Sequence, residues 1–258
     1  MEECILGKND YNGLHRLGLS LHVYADTWAH QNFAGIVDKI NRTKDIHIMN
    51  KETGIFEEIS IGIESKIADV ESVLTDKVLP LGHGTVKEYP DLPYLIWSYT
   101  DYSGNKSGPI DNSDRFIKAA KEIYKYLKCY QISDPKATID EQLSQEAEEK
   151  IRTLFQDIQG YKQNRHEEWQ NRLEEDYFGF HDEAYPYIPY GSNSWKSIAL
   201  NKVVRKNDKH DIYEINESFF NSDWKKFHDA VNEHWDFVMN NLLPNHEVII
   251  VPFARKKR

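Results

Sequence analysis

A chain of 258 residues can bury one sizeable core or two modest ones, and its 42 acidic against 32 basic residues give a formal charge of −10. That balance argues against a general nucleic-acid-binding role, because phosphate binding needs a positive face. Two cysteines, Cys4 and Cys129, exclude a disulfide framework and a cysteine-built metal box. The opening Met1-Glu-Glu-Cys-Ile lacks the regions of a signal peptide, and no run approaches the roughly 18 apolar residues of a membrane span. The chain therefore reads as cytoplasmic, with no membrane span.

The first element is a helix over about residues 11–34, with Asn9 or Asp10 as caps and Gly35 as its stop. Leu14, Leu17, Leu21, Ala25 and Trp28 recur at three- and four-residue steps and make its apolar stripe. At about 100° per residue, His15, His22, Asp26 and His30 form a second stripe, while Arg16, Ser20, Thr27 and Gln31 share the face suited to water. Next, Asp45–Met49 and Ile55–Ile61 alternate across Asn50-Lys-Glu-Thr-Gly54, the pattern of a β-hairpin. A short helix around 65–75 follows. Leu79 to Pro93 is a Gly/Pro-punctuated loop, of the kind that positions functional groups more often than it builds cores.

Helical spacing returns over Ser113–Tyr130, with Phe116, Ala120, Ile123 and Leu127 on one side. A longer helix over Thr138–Tyr177 has Ile139, Leu143, Ala147, Ile151, Leu154, Ile158 and Tyr161 as its seam and a bend at Gly160. Phe178–Tyr190 is an aromatic loop, and Ile198–Ile215 reads as a second hairpin around Lys206-Asn-Asp-Lys. Asp223–Leu243 closes with a helix carrying Trp224, Phe227, Val231, Trp235 and Val238, before a short strand at Val248–Val251. The expected architecture is mainly α: one helical bundle-like domain over 1–258 with one or two small β-hairpins. Within it, residues 11–100 form a metal-site region and 113–258 a helical and aromatic-loop region.

The second stripe of the first helix carries the chemistry. Imidazole, carboxylate and imidazole at i, i+4 and i+8 stack nitrogen and oxygen donors one above another, the reason His-x-x-x-His pairs on helices bind zinc. Any single helix histidine is more often an ordinary polar residue; the set is what points to a metal. His83, flanked by Gly82 and Gly84, can bring its ring to an ion with little obstruction, and Asp91 follows on the same loop. The expected ligands are His15, His22, Asp26, His30, His83 and Asp91, with His15 direct or one shell out. Such nitrogen and oxygen donors suit zinc, with manganese and iron as alternatives. Asp26 and Glu88 are the candidates for catalytic carboxylates, Glu88 as proton acceptor.

Leu17–Gly35, followed by Pro80-Leu-Gly-His-Gly and Pro90-Asp-Leu-Pro-Tyr94, resembles an uncharacterised bacterial family of unknown function over roughly residues 14–100. More distantly, His22-x-x-x-Asp26-x-x-x-His30 is similar to the metal-binding helix of zinc-dependent phospholipase C and its related single-strand nucleases, which are mostly helical phosphoesterases. The resemblance implies His22 and Asp26 as ligands, Asp26 bridging two ions; the spacing to the next histidine is longer in those enzymes. The resembled family also places an Asp-Phe-His motif before this helix, which the chain lacks. An incomplete metal cluster and weak turnover are therefore expected.

The function these residues imply is a zinc-dependent hydrolase acting on small-molecule or lipid phosphoesters. Two rivals stand beside it. One is a non-enzymatic helical interaction protein with a structural metal, its partner unknown. The other is an HD-type metal phosphohydrolase using His181-Asp182, His210-Asp211 or His228-Asp229.

Overall fold

The computed structural model describes residues 1–35, 37–58, 83–160, 162–180, 188–203 and 212–245. The architecture is mixed α/β, which corrects the expected helical bundle with minor hairpins. The difference lies in a four-stranded antiparallel sheet of order β2-β1-β3-β4, built from β1 (Lys44–Met49), β2 (Phe56–Glu58), β3 (Ile96–Thr100) and β4 (Lys106–Asp111). The hairpin of β1 and β2 follows the sequence pattern, pairing His47 with Glu58 and Met49 with Phe56. Nothing in the sequence reading placed β3 and β4. Gly108-Pro109 breaks the alternation of β4, and only the period-2 burial of Trp97 and Tyr99 marks β3 as a strand with one face inside.

The chain divides into two compact units, Met1–His22 with Lys128–Thr138 and Tyr185–Arg258, and Val23–Leu127 with Ile139–Ala184. The second unit holds the sheet and a core of Ile46, Val86, Tyr89, Leu92, Leu95, Trp97 and Tyr99, with Phe33, Ile48, Tyr94 and Ile110 packed around it. Four of these core residues, Val86, Tyr89, Leu92 and Leu95, belong to or border the stretch that reads as an open loop. Their apolar side chains are buried because two 3₁₀ turns, Gly84–Val86 and Tyr89–Asp91, fold the segment onto the sheet. Gly108 is needed for β4 to reach β3. At φ +114° it approaches so closely that an added Cβ would lie 2.8 Å from Ser98 Cβ and 2.9 Å from the Trp97 carbonyl oxygen.

Among the described residues the helices in chain order are α1 (Glu2–Leu6), α2 (Gly13–Ala29), α3 (Asn112–Ile132), α4 (Gln145–Asp157), α5 (Lys162–Glu174), α6 (Trp195–Ala199), α7 (Asp223–Phe237) and the single turn α8 (Leu243–Asn245). α2 is shorter at both ends than its periodicity implies. Its end is set by Asn32, which turns the chain at φ +73°, a left-handed conformation that asparagine tolerates better than most residues. The buried face of α2 is also rotated from the expected stripe: Leu14 is 73% exposed, whereas Ser20 is buried with its hydroxyl 2.9 Å from Cys4 Sγ. The long helix expected over 138–177 is two helices, because Ser144 caps α4 by accepting from the Ala147 N–H and Gly160 breaks the chain at φ +90°. β5 (Leu200–Val203) and β6 (Ile212–Ile215) form the second hairpin, and α7 runs into a π-helical turn at Val238–Leu242. The helix expected near 65–75 and the strand at 248–251 lie outside the described residues, as do His181-Asp182 and His210-Asp211.

Candidate metal centre

His30 follows the last residue of α2, its N–H still bonded to the Asp26 carbonyl at 2.9 Å. His83 opens the first 3₁₀ turn and Asp91 closes the second. One potential ligand atom from each of these three residues lies within 4.8 Å of the other two. The Asp91 carboxylate faces the Nε2 atoms of both rings, with Oδ1 2.9 Å from His30 Nε2 and Oδ2 3.9 Å from His83 Nε2. The rings themselves are parallel, 4.1 Å between centroids with 6° between planes. Donors around one tetrahedral zinc stand about 3.4 Å apart, given bonds of roughly 2.0–2.1 Å, so this group would draw in by up to about an ångström to close on an ion.

The His83 ring is held by its own loop. Its Nδ1 is 2.6 Å from the Lys87 carbonyl oxygen, which can only accept, so Nδ1 carries a proton and Nε2, 3.9 Å from Asp91 Oδ2, is the ring nitrogen left to take an ion. Lys87 delivers that carbonyl from φ +52°, ψ −135°, a conformation that costs a non-glycine residue about 1–3 kcal/mol. The neighbouring Val86, fully buried in the core, holds the turn against that cost.

Three further residues tie down the segments that carry these side chains. Arg115 Nη1 donates to the Ala29 carbonyl at 2.9 Å, satisfying an orphan acceptor at the end of α2, one residue before His30. Asn41, fully buried, accepts from the Ala34 N–H at 2.7 Å and donates to the Ala34 carbonyl at 2.9 Å, while its own carbonyl accepts from Thr85 Oγ1. The segment after His30 is thereby tied to the turn after His83. Asn112, also fully buried, donates through Nδ2 to the Tyr89 and Leu92 carbonyls on either side of Asp91. Sequence reasoning named none of these. An asparagine at a helix start reads as a cap, and nothing local shows that its amide faces inward.

The other expected site residues stand elsewhere. His15 Nε2 is 3.2 Å from Asp223 Oδ1, and its ring meets Trp195 edge-on at 5.5 Å. His22 and Asp26 are exposed on α2, and Glu88 is exposed beside the Asp91 turn. Among the described residues the group close enough to share an ion is His30, His83 and Asp91. In the dyad His228-Asp229, His228 Nδ1 is 2.7 Å from the Trp224 carbonyl and Asp229 accepts from Tyr11 and Lys225. Lys225 and Tyr11 hold the Asp229 carboxyl below its usual range, and Tyr11 beside it is pushed up to about 12.

That arrangement makes Asp229 a structural group with a pH signature. A carboxyl whose folded pKa is depressed contributes stability that is complete above its unfolded value of about 3.9 and is lost as pH falls through the folded value. Asp229→Asn should therefore lower the thermal midpoint at neutral pH, and the gap from wild type should narrow as the pH falls below 4. A gap that is constant with pH would mean that the Asp229 contacts carry no net charge stabilisation.

The chain belongs to a family of unknown function, DUF6765, which it matches over residues 1–242. No protein of curated function and no solved structure matches it. The likeness to phospholipase C therefore gains no support from comparison. No helix among the described residues is long and apolar enough to cross a membrane.

Proposed function

We propose that His30, His83 and Asp91 hold a divalent transition metal, zinc in the first instance with manganese and iron as alternatives, and that the protein is a metal-dependent hydrolase of phosphoesters. The observation that carries this reading is the convergence of two imidazoles and a carboxylate, with His83 Nδ1 held by the Lys87 carbonyl so that Nε2 faces the shared point. The donor set fits the group: two neutral nitrogens and one anionic oxygen match borderline ions better than magnesium or calcium, which prefer oxygen throughout. Partial exposure of the side chains, 22% for His30, 32% for His83 and 41% for Asp91, leaves room for water and substrate to reach the same point.

A divalent ion there would supply Lewis acidity, polarising a phosphoryl oxygen and lowering the pKa of water toward neutrality. The chain's own residues do the rest. Asp91 supplies the negative charge that holds a cation, the Lys87 carbonyl keeps His83 in its ligating tautomer, and Glu88, exposed on the neighbouring turn, is the nearest carboxylate in sequence to take a proton. The phosphoester class is what the resemblance of His22-x-x-x-Asp26-x-x-x-His30 to the phospholipase C helix implies, and weak turnover of simple diesters is expected from one ion where a cluster would stabilise both the attacking and the leaving oxygen.

Metal analysis after zinc remetallation tests the reading. The expected result is about one equivalent of zinc per chain, accompanied by slow hydrolysis of a p-nitrophenyl phosphodiester that Asp91→Asn abolishes. Less than about a tenth of an equivalent, where a site with these ligands should fill, removes the metal centre and the hydrolase with it.

A further inference from the structure

Asp91 owes its direction to the backbone of a single 3₁₀ turn. The Asp91 N–H bonds to the Glu88 carbonyl at 2.9 Å, and the carbonyls on either side of it, those of Tyr89 and Leu92, accept from one atom, Asn112 Nδ2, at 2.7 and 2.8 Å. The other end of that amide, Oδ1, accepts from Trp97 Nε1 at 3.1 Å, and the Asn112 N–H itself reaches the Leu95 carbonyl at 3.1 Å. A carboxamide is the uncharged side chain that presents two donors on one atom and an acceptor on the next. Here all of these are used, in a place with no solvent exposure. The indole N–H also fixes the polarity of the amide, because a flipped amide would set donor against donor at Trp97 and acceptor against two carbonyls at the turn.

We propose that Asn112 is the positioning residue of the metal site, holding the Tyr89–Leu92 turn so that the Asp91 carboxylate faces both His30 Nε2 and His83 Nε2. This rests on the reading of those three residues as metal ligands, none of which Asn112 is shown to touch. Asn112→Asp keeps the shape but removes both donors, leaving a buried acceptor against two carbonyls. The turn must move away, and Asp91 moves with it. Loss of a residue that orients a ligand typically weakens metal affinity about 10- to 100-fold.

The test is zinc affinity by competition with a chromophoric chelator for wild type, Asn112→Asp, Trp97→Phe and Ile117→Ala, together with side-chain ¹⁵N NMR of His30 in the metal-free proteins. Trp97→Phe keeps an aromatic ring but deletes the indole donor that fixes the amide. Ile117, 2% exposed and further along α3, reports what destabilisation alone does. The expected pattern is a loss of about 10- to 100-fold for Asn112→Asp, a smaller loss for Trp97→Phe, and unchanged affinity for Ile117→Ala despite a lower thermal midpoint. The His30 Nε2 signal, which reports the contact with Asp91, should move in the first two variants and stay in the third. Unchanged affinity in a folded Asn112→Asp, or an equal loss in Ile117→Ala, overturns the proposal. If Asn112→Asp does not fold, Trp97→Phe decides by the same criterion. If wild type binds no zinc, the metal reading fails by itself; the His30 signal then decides, a shift in Asn112→Asp supporting the positioning role and no shift ending it.

Discussion

His83→Ala and Asp91→Asn should each weaken zinc binding by at least about 100-fold, some 2.7 kcal/mol, because the first removes one of three donors and the second removes the negative charge of another. The loss can also be read from stability. An ion that binds only the folded state raises its stability by about 2.7 kcal/mol at 100 times its dissociation constant, so saturating zinc should raise the thermal midpoint of wild type but not of these variants. His30→Ala belongs to the same class. His22→Ala and Asp26→Asn are the informative comparison: both residues are exposed on α2, outside the three-residue group, and their replacement should leave affinity close to wild type. Should Asp26→Asn cost as much as Asp91→Asn, the ligand set reaches one turn back along α2, as the His-x-x-x-Asp-x-x-x-His pattern implies.

The reason the helix pattern and the three-dimensional group differ is instructive. Spacing at i, i+4 and i+8 aligns side chains along a helix surface, but alignment does not say which of them another segment will meet. On α2 the alignment ends at Ala29, and the residue that meets the 83–91 segment is His30, beyond the last helical turn, where Asn32 redirects the chain. His83 and Asp91 were legible because glycines flank one and prolines surround the other, and because two ionisable groups on a short loop suggest a site. Their supports were not. Asn41 and Asn112 act through bonds to residues 7, 20 and 23 positions away, and such pairings have no local signature.

The fold was legible to a similar depth. Elements with a strong period of their own, α2, α3, α7 and the β1–β2 hairpin, stand close to where the pattern puts them. Where the reading failed, local breakers hid a tertiary arrangement. Gly108 and Pro109 look like a turn, yet β4 pairs through them, from Lys106 with Thr100 to Asp111 with Ile96, with an irregularity between Trp97 and Tyr99 that absorbs the mismatch. The segment 83–95 looks like a loop because Gly84, Pro90 and Pro93 interrupt its apolar residues. It nonetheless supplies Val86, Tyr89, Leu92 and Leu95 to the core, and that burial anchors the turns that carry His83 and Asp91.

Trp97→Ala should be among the most damaging single changes in the second unit. The indole is fully buried in the middle strand pair of the sheet, stacked on Tyr99 at 5.2 Å and tilted against Tyr89 at 6.4 Å. Truncating a buried tryptophan to alanine costs about 3–5 kcal/mol in transfer and cavity terms. Losing the indole N–H also leaves Asn112 Oδ1 buried without its donor, a further penalty of about 1–3 kcal/mol unless water enters the cavity. Against the 5–15 kcal/mol that typically holds a domain together, this is enough to leave the sheet marginal at 37 °C. Trp97→Phe separates the two contributions, since it keeps most of the apolar contact and forfeits only the hydrogen bond. Urea unfolding followed by circular dichroism should therefore rank wild type, Trp97→Phe and Trp97→Ala in descending order of midpoint. A Trp97→Ala protein that unfolds at the wild-type midpoint would show that this indole is not the centre of the core. Because the same residue fixes the amide behind Asp91, the ranking for zinc affinity should follow the ranking for stability in these two variants, while a core change elsewhere, such as Ile117→Ala, should break that correspondence.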